Sequence, residues 1–400
     1  MEDFCKTNKK LLNWSGFWFE GDSVKNHQKL RCFFCLSITF VLLLCPEFYC
    51  IYQNRNDPLE ISRVISEVLT TSLSFIKMII FLVNQDKIRK LFNEMKQAWG
   101  EIEVSDVEVQ EIKKKSMKRA EFVSKGFAYP CLASVTNFIF SPLVVYFVIS
   151  YFKTQSIQWE KGPMPIRLCH PISRSNVADF SIMFTISTIV MYVAMITLMG
   201  FDTYSVALMN FSGDFFNILK ICLKNLHNKY LLTSKDEWSV EDTENINNEL
   251  KEIITRHNQL IDFSHRLEEI INIIMLAQYL ASTFMFCVVG FQLSILQENP
   301  NDLWILGTYC FFLCFQLYMF SWFGSYLTTS SFEVGMAAYD CGWLNAPPEL
   351  QKHIILIIQR SQRPLGVTAS KFYYISIESF AKALSSAISY FTLLHSLYEN

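Results

Sequence analysis

Hydrophobic residues along this chain gather in runs of about 20 or more, longer than the apolar stripes of globular helices. Crossing a hydrocarbon core of about 30 Å takes about 20 apolar helical residues, because inside lipid only a helix satisfies its own backbone. Residues 128–152, 180–201, 271–297 and 303–332 contain no Asp, Glu, Lys or Arg. Residues 32–52 predict a fifth span, with Glu47 near its far end. A sixth, 61–83, carries Arg63, Glu67 and Lys77, and a seventh, 366–397, carries Lys371, Glu378 and Lys382. The expected fold is all-α: a seven-transmembrane helical membrane protein with helical cytoplasmic extensions. Residues 1–31 hold no apolar core of the kind a cleavable signal needs.

The polar segments between the runs set the orientation, since Lys and Arg near span ends stay cytoplasmic. The N-terminal segment and the second, fourth and sixth connections together hold 26 Lys and Arg, and the opposite side holds 5. The N-terminus is therefore expected inside and the C-terminus outside. Residues 1–31 then form a cytoplasmic segment, 32–332 a six-helix bundle with cytoplasmic helical extensions, 333–365 a further cytoplasmic helical segment, and 366–400 the seventh span. A G-protein-coupled receptor has the reverse orientation, and Lys153-Thr-Gln-Ser after the third span offers no acid–arginine switch. No G protein is expected as a partner. Membrane lipid is, because only 18% of residues are charged against roughly 25% in soluble domains. A net charge of -2 gives no basic field for nucleic acid.

Chemistry-bearing motifs are sparse. The chain lacks the P-loop, nucleophile-elbow, HExxH and dinucleotide fingerprints, so neither enzyme activity nor a cofactor is expected. Twelve Cys are too dilute for a disulfide scaffold; Cys169 could pair with Cys50 or stand as a free thiol. The outer segment Lys153 to Asn176, with Pro163, Pro165 and Pro171, reads as an ordered lid. Inside, 84–127 predicts two charged helical stretches around Trp99-Gly100. Residues 202–270 continue the fourth span, break near Thr233-Ser234-Lys235-Asp236, and resume at helical spacing with Leu250, Ile253, Ile254, His257, Leu260, Ile261, Ser264 and Leu267. That stripe reads as a contact between subunits, or else as a helix on the membrane surface.

The last span carries the clearest pattern. Ser379, Lys382, Ser386, Ser389, Leu393 and Leu397 share one helical face, hydroxylic along its length and apolar at its outer end. A polar face at membrane depth must meet protein or water. One reading is close helix packing through serines; the other is a water-filled pore that Leu393 and Leu397 close by dewetting. Glu378 and Lys382 stand four apart and can pair.

The stretch Ser331-Phe-Glu-Val-Gly-Met-Ala-Ala-Tyr339-Asp-Cys-Gly-Trp343, with Arg360-Ser-Gln-Arg-Pro-Leu365, Thr368-Ala-Ser-Lys-Phe372 and Tyr390-Phe-Thr-Leu-Leu394, resembles the insect odorant receptors. His257-x-x-Leu260 with Phe263 and Leu267 agrees, and residues 202–270 lack the enlarged loop of the shared co-receptor, so the resemblance is to an odour-tuning subunit. It implies a ligand-gated, non-selective cation channel in the plasma membrane of olfactory sensory neurons. The channel would be a heterotetramer with odorant receptor co-receptor subunits, lined by the last helix of each, with Leu393 and Leu397 at the outer gate. Lys382 on a cation-pore face requires Glu378 to neutralise it or its own side chain to turn aside. The resemblance also implies a pocket for a small volatile odorant in the outer half of the bundle. There the predicted spans present Leu69 and Leu73; Tyr146, Phe147, Ser150 and Tyr151; Met183, Phe184, Ser187 and Met191; and Trp304, Tyr309 and Phe312. The alternative is a membrane transporter or a non-conducting scaffold subunit, though the internal repeats usual in transporters are not visible.

Overall fold

The computed structural model describes residues 5–18, 26–102, 106–152, 162–165, 176–231, 240–295 and 300–399. It is helical nearly throughout. A short amphipathic helix α1 (Lys6–Ser15) precedes α2 (Asn26–Thr39), which runs through a π-helical turn at Phe40–Leu44 into α3 (Cys45–Gln53). After α4 (Pro58–Val83) and α5 (Gln85–Glu101) come α6 (Val107–Phe152), α7 (Val177–Leu226), α8 (Val240–Ile295) and α9 (Pro300–Tyr339). The chain ends with α10 (Pro348–Ser361) and α11 (Ile377–Glu399). Local chemistry sets the boundaries. Asp57 caps α4, accepting from Leu59 N at 3.0 Å and Glu60 N at 3.1 Å, and Pro58 fills the first turn, where no amide proton is needed.

Among the described residues, six helical segments can cross a membrane by length and composition: Asn26–Gln53, Pro58–Val83, Val107–Phe152, Val177–Tyr230, Thr243–Ile295 and Leu303–Tyr339. The 46, 50 and 56 residues of α6, α7 and α8 far exceed the 20 or so that a bilayer takes, so each projects well past it. The expected pair of charged stretches around Trp99 is present as α5 and the start of α6, with Trp99 buried edge-on against Phe211 and Phe215. The expected break at residues 233–236 lies outside the described residues.

Two expectations need correction. The seventh span does not run from Gly366; residues 362–376 form a compact turn, and the helix starts at Ile377. Ser370 and Lys371 take left-handed φ of 48° and 65°. Their turn is closed by Lys371 N donating to Thr368 Oγ1 at 3.0 Å and Ala369 N donating to Tyr373 O at 2.9 Å. Gly324 and Gly366 let this turn sit directly on α9, since a Cβ at either would lie 2.5 Å from Ile375 O or 2.2 Å from Thr328 Oγ1. Ser376 and Ser379 then cap α11 reciprocally, each hydroxyl accepting from the other's backbone N–H. The resulting 23-residue helix is about 35 Å long, enough for one crossing.

The second correction concerns the stripe from Leu250 to Leu267. Leu250, Ile253, His257, Ile261, Ser264 and Leu267 are buried within the chain itself, inside the same continuous core as Phe211, Phe216 and Leu219 of α7. Residues 197–216 of α7 are buried on every side, so α7 forms the axis on which the other inner segments close. The stripe has thus found its partner within one subunit.

Candidate ligand cavity and pore-helix face

A cavity of about 630 Å³ opens among α3, α4, α6, α7 and α9, and Gly162, Pro163, Met164 and Pro165 border it. With Asn176, those four are the described part of the expected lid. Apolar walls come from Phe127, Cys131, Val135 and Phe138 of α6, Met191, Met195, Leu198 and Met199 of α7, and Ile305, Leu306 and Phe312 of α9. Methionine's unbranched thioether adapts to ligand shape. The α4 side is hydroxylic, because Ser66, Thr70 and Ser74 recur every four residues. Ser66 and Thr70 donate to the carbonyls one turn back, at 3.2 and 2.9 Å, and Ser74 donates to Ala194 O at 3.2 Å. Such bonds keep hydroxyls satisfied without water. Thr70 Oγ1 and Tyr309 Oη lie 2.7 Å apart across the cavity.

Beneath it lies a buried ion pair. Lys77, with no solvent exposure, pairs with Asp202 and donates to Gln278 Oε1 at 2.6 Å. Gln316 donates to the second Asp202 oxygen, and Gln278 Nε2 donates to Gln316 Oε1 at 3.0 Å. Asp202 and Gln316 also line the cavity. A lone charge at this depth would be prohibitively expensive; here each is paired and hydrogen-bonded. Four helices, α4, α7, α8 and α9, are tied at this point.

From the floor of the cavity a short route leads to the last helix. Tyr279 follows Gln278 on α8; its hydroxyl accepts from Ser379 Oγ at 3.1 Å and hydrogen-bonds Ser321. On α11, Ala383 and Ala387 face inward, while Lys382, Ser386, Ser389 and Leu393 are exposed. Lys382 and Glu378 form an exposed pair at 2.6 Å. The subunit therefore leaves most of the hydroxylic stripe uncovered.

The family model for the 7tm odorant receptors matches residues 57–388. The chain belongs to the odorant receptor family. It is 33% identical over 150 residues to Odorant receptor Or2 of Anopheles gambiae, covering 38% of this chain and 39% of that one. With Odorant receptor 10 of Aedes albopictus it shares 28% over 170 residues, covering 42% and 45%. The chain thus spans about two-fifths of the length of these curated relatives in the matched region. In fold it is similar to the insect olfactory receptor OR5 of Machilis hrabei solved with eugenol, at a TM-score of 0.77 and 14% identity over 99% and 98% of the two chains. It is a multi-pass membrane protein of this family.

Of the pocket residues expected for this receptor, Met191, Tyr309 and Phe312 line the cavity. The others do not. Leu73 is buried in the main core and Leu69 packs against it. Phe184 stacks on Phe180 beside Val135 and Ile139; Ser187 is buried and Met183 half-buried on the same helix. Tyr146 and Phe147 meet each other edge-on, and Ser150 is half-buried near the helix end. Tyr151 and Trp304 are 82% and 67% exposed. On α6 the reason is depth, whereas Leu69, Leu73 and Trp304 stand beside cavity-lining Thr70, Ser74 and Ile305 but on another face of their helices. On α6 the cavity is lined by Phe127 to Pro142, about 15–38 Å below the last residue of the helix, so residues 146–151 stand above it. Asp202 and Gln316 lie outside the expected set, because Phe201 ends the charge-free fourth run and Gln316 sits in an otherwise apolar one. Lys77 deep in one span and Asp202 just past the end of another are the available signal.

On α11, Lys382, Ser386, Ser389 and Leu393 share the exposed face as expected, and Glu378 sits against Lys382. Ser379 departs from it: 7% exposed, it turns to Tyr279 and the helix cap. The side chain of Leu397 lies outside the described residues. Cys50 is disulfide-bonded, and its candidate partner Cys169 is likewise outside them.

Proposed function

We propose that this chain is the odour-tuning subunit of a ligand-gated, non-selective cation channel in the plasma membrane of olfactory sensory neurons, with its N-terminus inside. It assembles with odorant receptor co-receptor subunits as a heterotetramer. A small, mostly apolar volatile binds in the cavity between α4, α6, α7 and α9, whose methionines and aromatics supply contact area while a few hydroxyls set orientation. The α11 helices of the subunits together line the pore, with Ser386 and Ser389 on its wet wall and Leu393 and Leu397 at the outer constriction.

One observation carries the reading: Gln278 and Tyr279, neighbours on α8, hydrogen-bond the cavity floor on one side and Ser379 of the pore helix on the other. A ligand that displaces Gln316 or Asp202 shifts α8, and α8 holds the foot of α11. Odorant-evoked current in cells expressing this chain with and without the co-receptor tests the function. Tyr279→Phe tests the route, and should weaken maximal current while leaving surface density unchanged. Normal currents in that variant would exclude the Tyr279–Ser379 contact as the link. Cysteines at positions 393 and 397, probed with a water-soluble thiol reagent during odorant application, test the gate; absence of modification at both in surface channels would reject it.

A further inference from the structure

Where the charged start of α6 gives way to the charge-free run from residue 128, one narrow face of the helix stays uncovered. Lys114, Lys118, Phe122, Lys125 and Tyr129 recur at helical spacing on that face, and all five are exposed, Phe122 by 77%. The face continues through Thr136, Phe140 and Val144 into the charge-free run, the part apolar enough for lipid. Along this stretch α6 crosses the border between lipid and water.

Helix α1 widens the face. Thr7 Oγ1 donates to Glu121 Oε1 at 2.7 Å, which holds α1 against α6. Lys10 and Trp14 follow Thr7 on the same edge of α1, and both are exposed, Trp14 by 58%. Aromatic rings beside lysines suit a membrane interface, where the ring sits among headgroups and the ammonium group reaches out of the hydrocarbon. On α6 the direction agrees, because side chains lean toward a helix's N-terminus, so Lys118 and Lys125 extend away from the charge-free run.

Pairing fixes the sign of the face. The two acids beside it are taken, Glu111 by Lys115 at 3.2 Å and Glu121 by Lys125 at 3.1 Å. Lys10, Lys114 and Lys118 have no ion-pair partner among the described residues. An exposed lysine is a cation at physiological pH, so the face carries positive charge that no described side chain neutralises.

We propose that this face of α1 and α6 holds acidic phospholipid headgroups, phosphatidylserine in preference to phosphatidylcholine, of the leaflet it borders. The proposal goes beyond the channel reading and draws on it for one point: an inside N-terminus places the face at the cytoplasmic leaflet, where anionic lipid is concentrated. Each lysine near such a surface strengthens the attraction about fivefold. The exposed rings add apolar contact that either lipid satisfies, so the selectivity rests on the lysines.

The test uses the full chain co-purified with the co-receptor, titrated with fluorescent phosphatidylserine and, as reference, phosphatidylcholine bearing the same label. Phosphatidylserine should bind more tightly, and Lys10→Gln with Lys118→Gln should weaken it about tenfold or more while leaving phosphatidylcholine within about twofold. Lys251→Gln with Lys352→Gln removes the same charge from exposed positions on α8 and α10 and should change neither. Where the first double variant is not recovered, Lys118→Gln alone decides, with an expected loss of about fivefold. A photoreactive phosphatidylserine locates the contact and should label residues 6–18 or 114–129. Equal binding of the two lipids, or the same loss in both double variants, overturns the proposal. So does the absence of label on these segments in the assembled channel, which would mean that a neighbouring subunit covers the face. A tag at Met1 that is accessible on intact cells, with phosphatidylserine selectivity kept, overturns the orientation alone and leaves the lipid contact standing.

Discussion

The two ends of this helix bundle use the same long helices in opposite ways. Toward the end where α4 and α9 begin, α7 alternates buried positions such as Phe180, Phe184 and Ser187 with exposed Ile182, Ile186 and Ile189, and the helices part around a cavity. Toward the other end α7 is buried on every side from 197 to 216. Arg119, Asn210, Asp214, Asn217 and Tyr326 form a hydrogen-bonded knot there between α6, α7 and α9. A hollow half can change shape around a ligand, whereas a close-packed half transmits displacement with little loss. The Lys77–Asp202 pair marks the boundary between them.

The strongest way to break this division is at that boundary. Lys77→Met leaves Asp202 buried without its counter-charge and should destabilise the receptor by about 3–5 kcal/mol. The expected readout is loss of surface protein and a lower unfolding temperature in detergent. Lys77→Met with Asp202→Asn should recover much of the loss, since no charge is then stranded; a double variant as unstable as the single one would contradict the pairing.

The solid half should respond to pH through His257. Its ring lies edge-on to Phe216 in the close-packed core, and burial, with Arg360 adding, pushes its pKa down from 6.5 to about 4. The unfolded chain takes up a proton near pH 6.5 and the folded chain resists until near 4. Stability from this group is therefore full above pH 6.5 and falls as pH drops toward 4, by up to about 3 kcal/mol. Thermal unfolding across that range should show the slope, and His257→Phe should flatten it.

Close approach at the base of α11 predicts the next effect. Gly324→Ala or Gly366→Ala forces a Cβ into Ile375 O or the Thr328 hydroxyl and should cost about 1–3 kcal/mol, read as lower stability. The same substitution at Gly307, where a Cβ meets nothing within 4 Å, should be silent and serves as the control.

The hollow half should tolerate change but alter response. Met195→Trp fills cavity space and should shift odorant sensitivity by about tenfold or more with a stability change under about 1 kcal/mol. Tyr151→Ala and Trp304→Ala, on exposed positions, should leave the dose–response curve and stability within about 0.5 kcal/mol of the wild type. A shift at Tyr151 or Trp304 without one at Met195 would move the ligand site outward, toward the position that span counting suggests.

Helix type and membrane crossing were legible in the hydrophobic runs, because a segment without charges over 20 or more residues has few alternatives to spanning lipid. The stripe on α11 was equally plain, since side-chain direction on a helix follows from spacing alone, and Lys382, Ser386, Ser389 and Leu393 do share an exposed face. Ser379 escaped that rule because helix capping and Tyr279 claimed its hydroxyl. The turn at 366–376 escaped too, because its left-handed Ser370 and Lys371 are stabilised by tertiary bonds, among them Ser370 N to Asn272 O at 3.1 Å.

What the sequence determined by itself was local and additive: which segments are helices, which are apolar enough for lipid, and which residues share a face. Those properties depend on neighbours three or four positions away. Only the tertiary structure decided where the bundle is hollow, that Lys77 meets Asp202 125 residues along the chain, and that Glu47 borders the same cavity as Tyr309. Cavities and buried pairs arise where several helices meet, and the depth at which they meet is fixed by packing between segments distant in sequence, which no periodicity along one helix records.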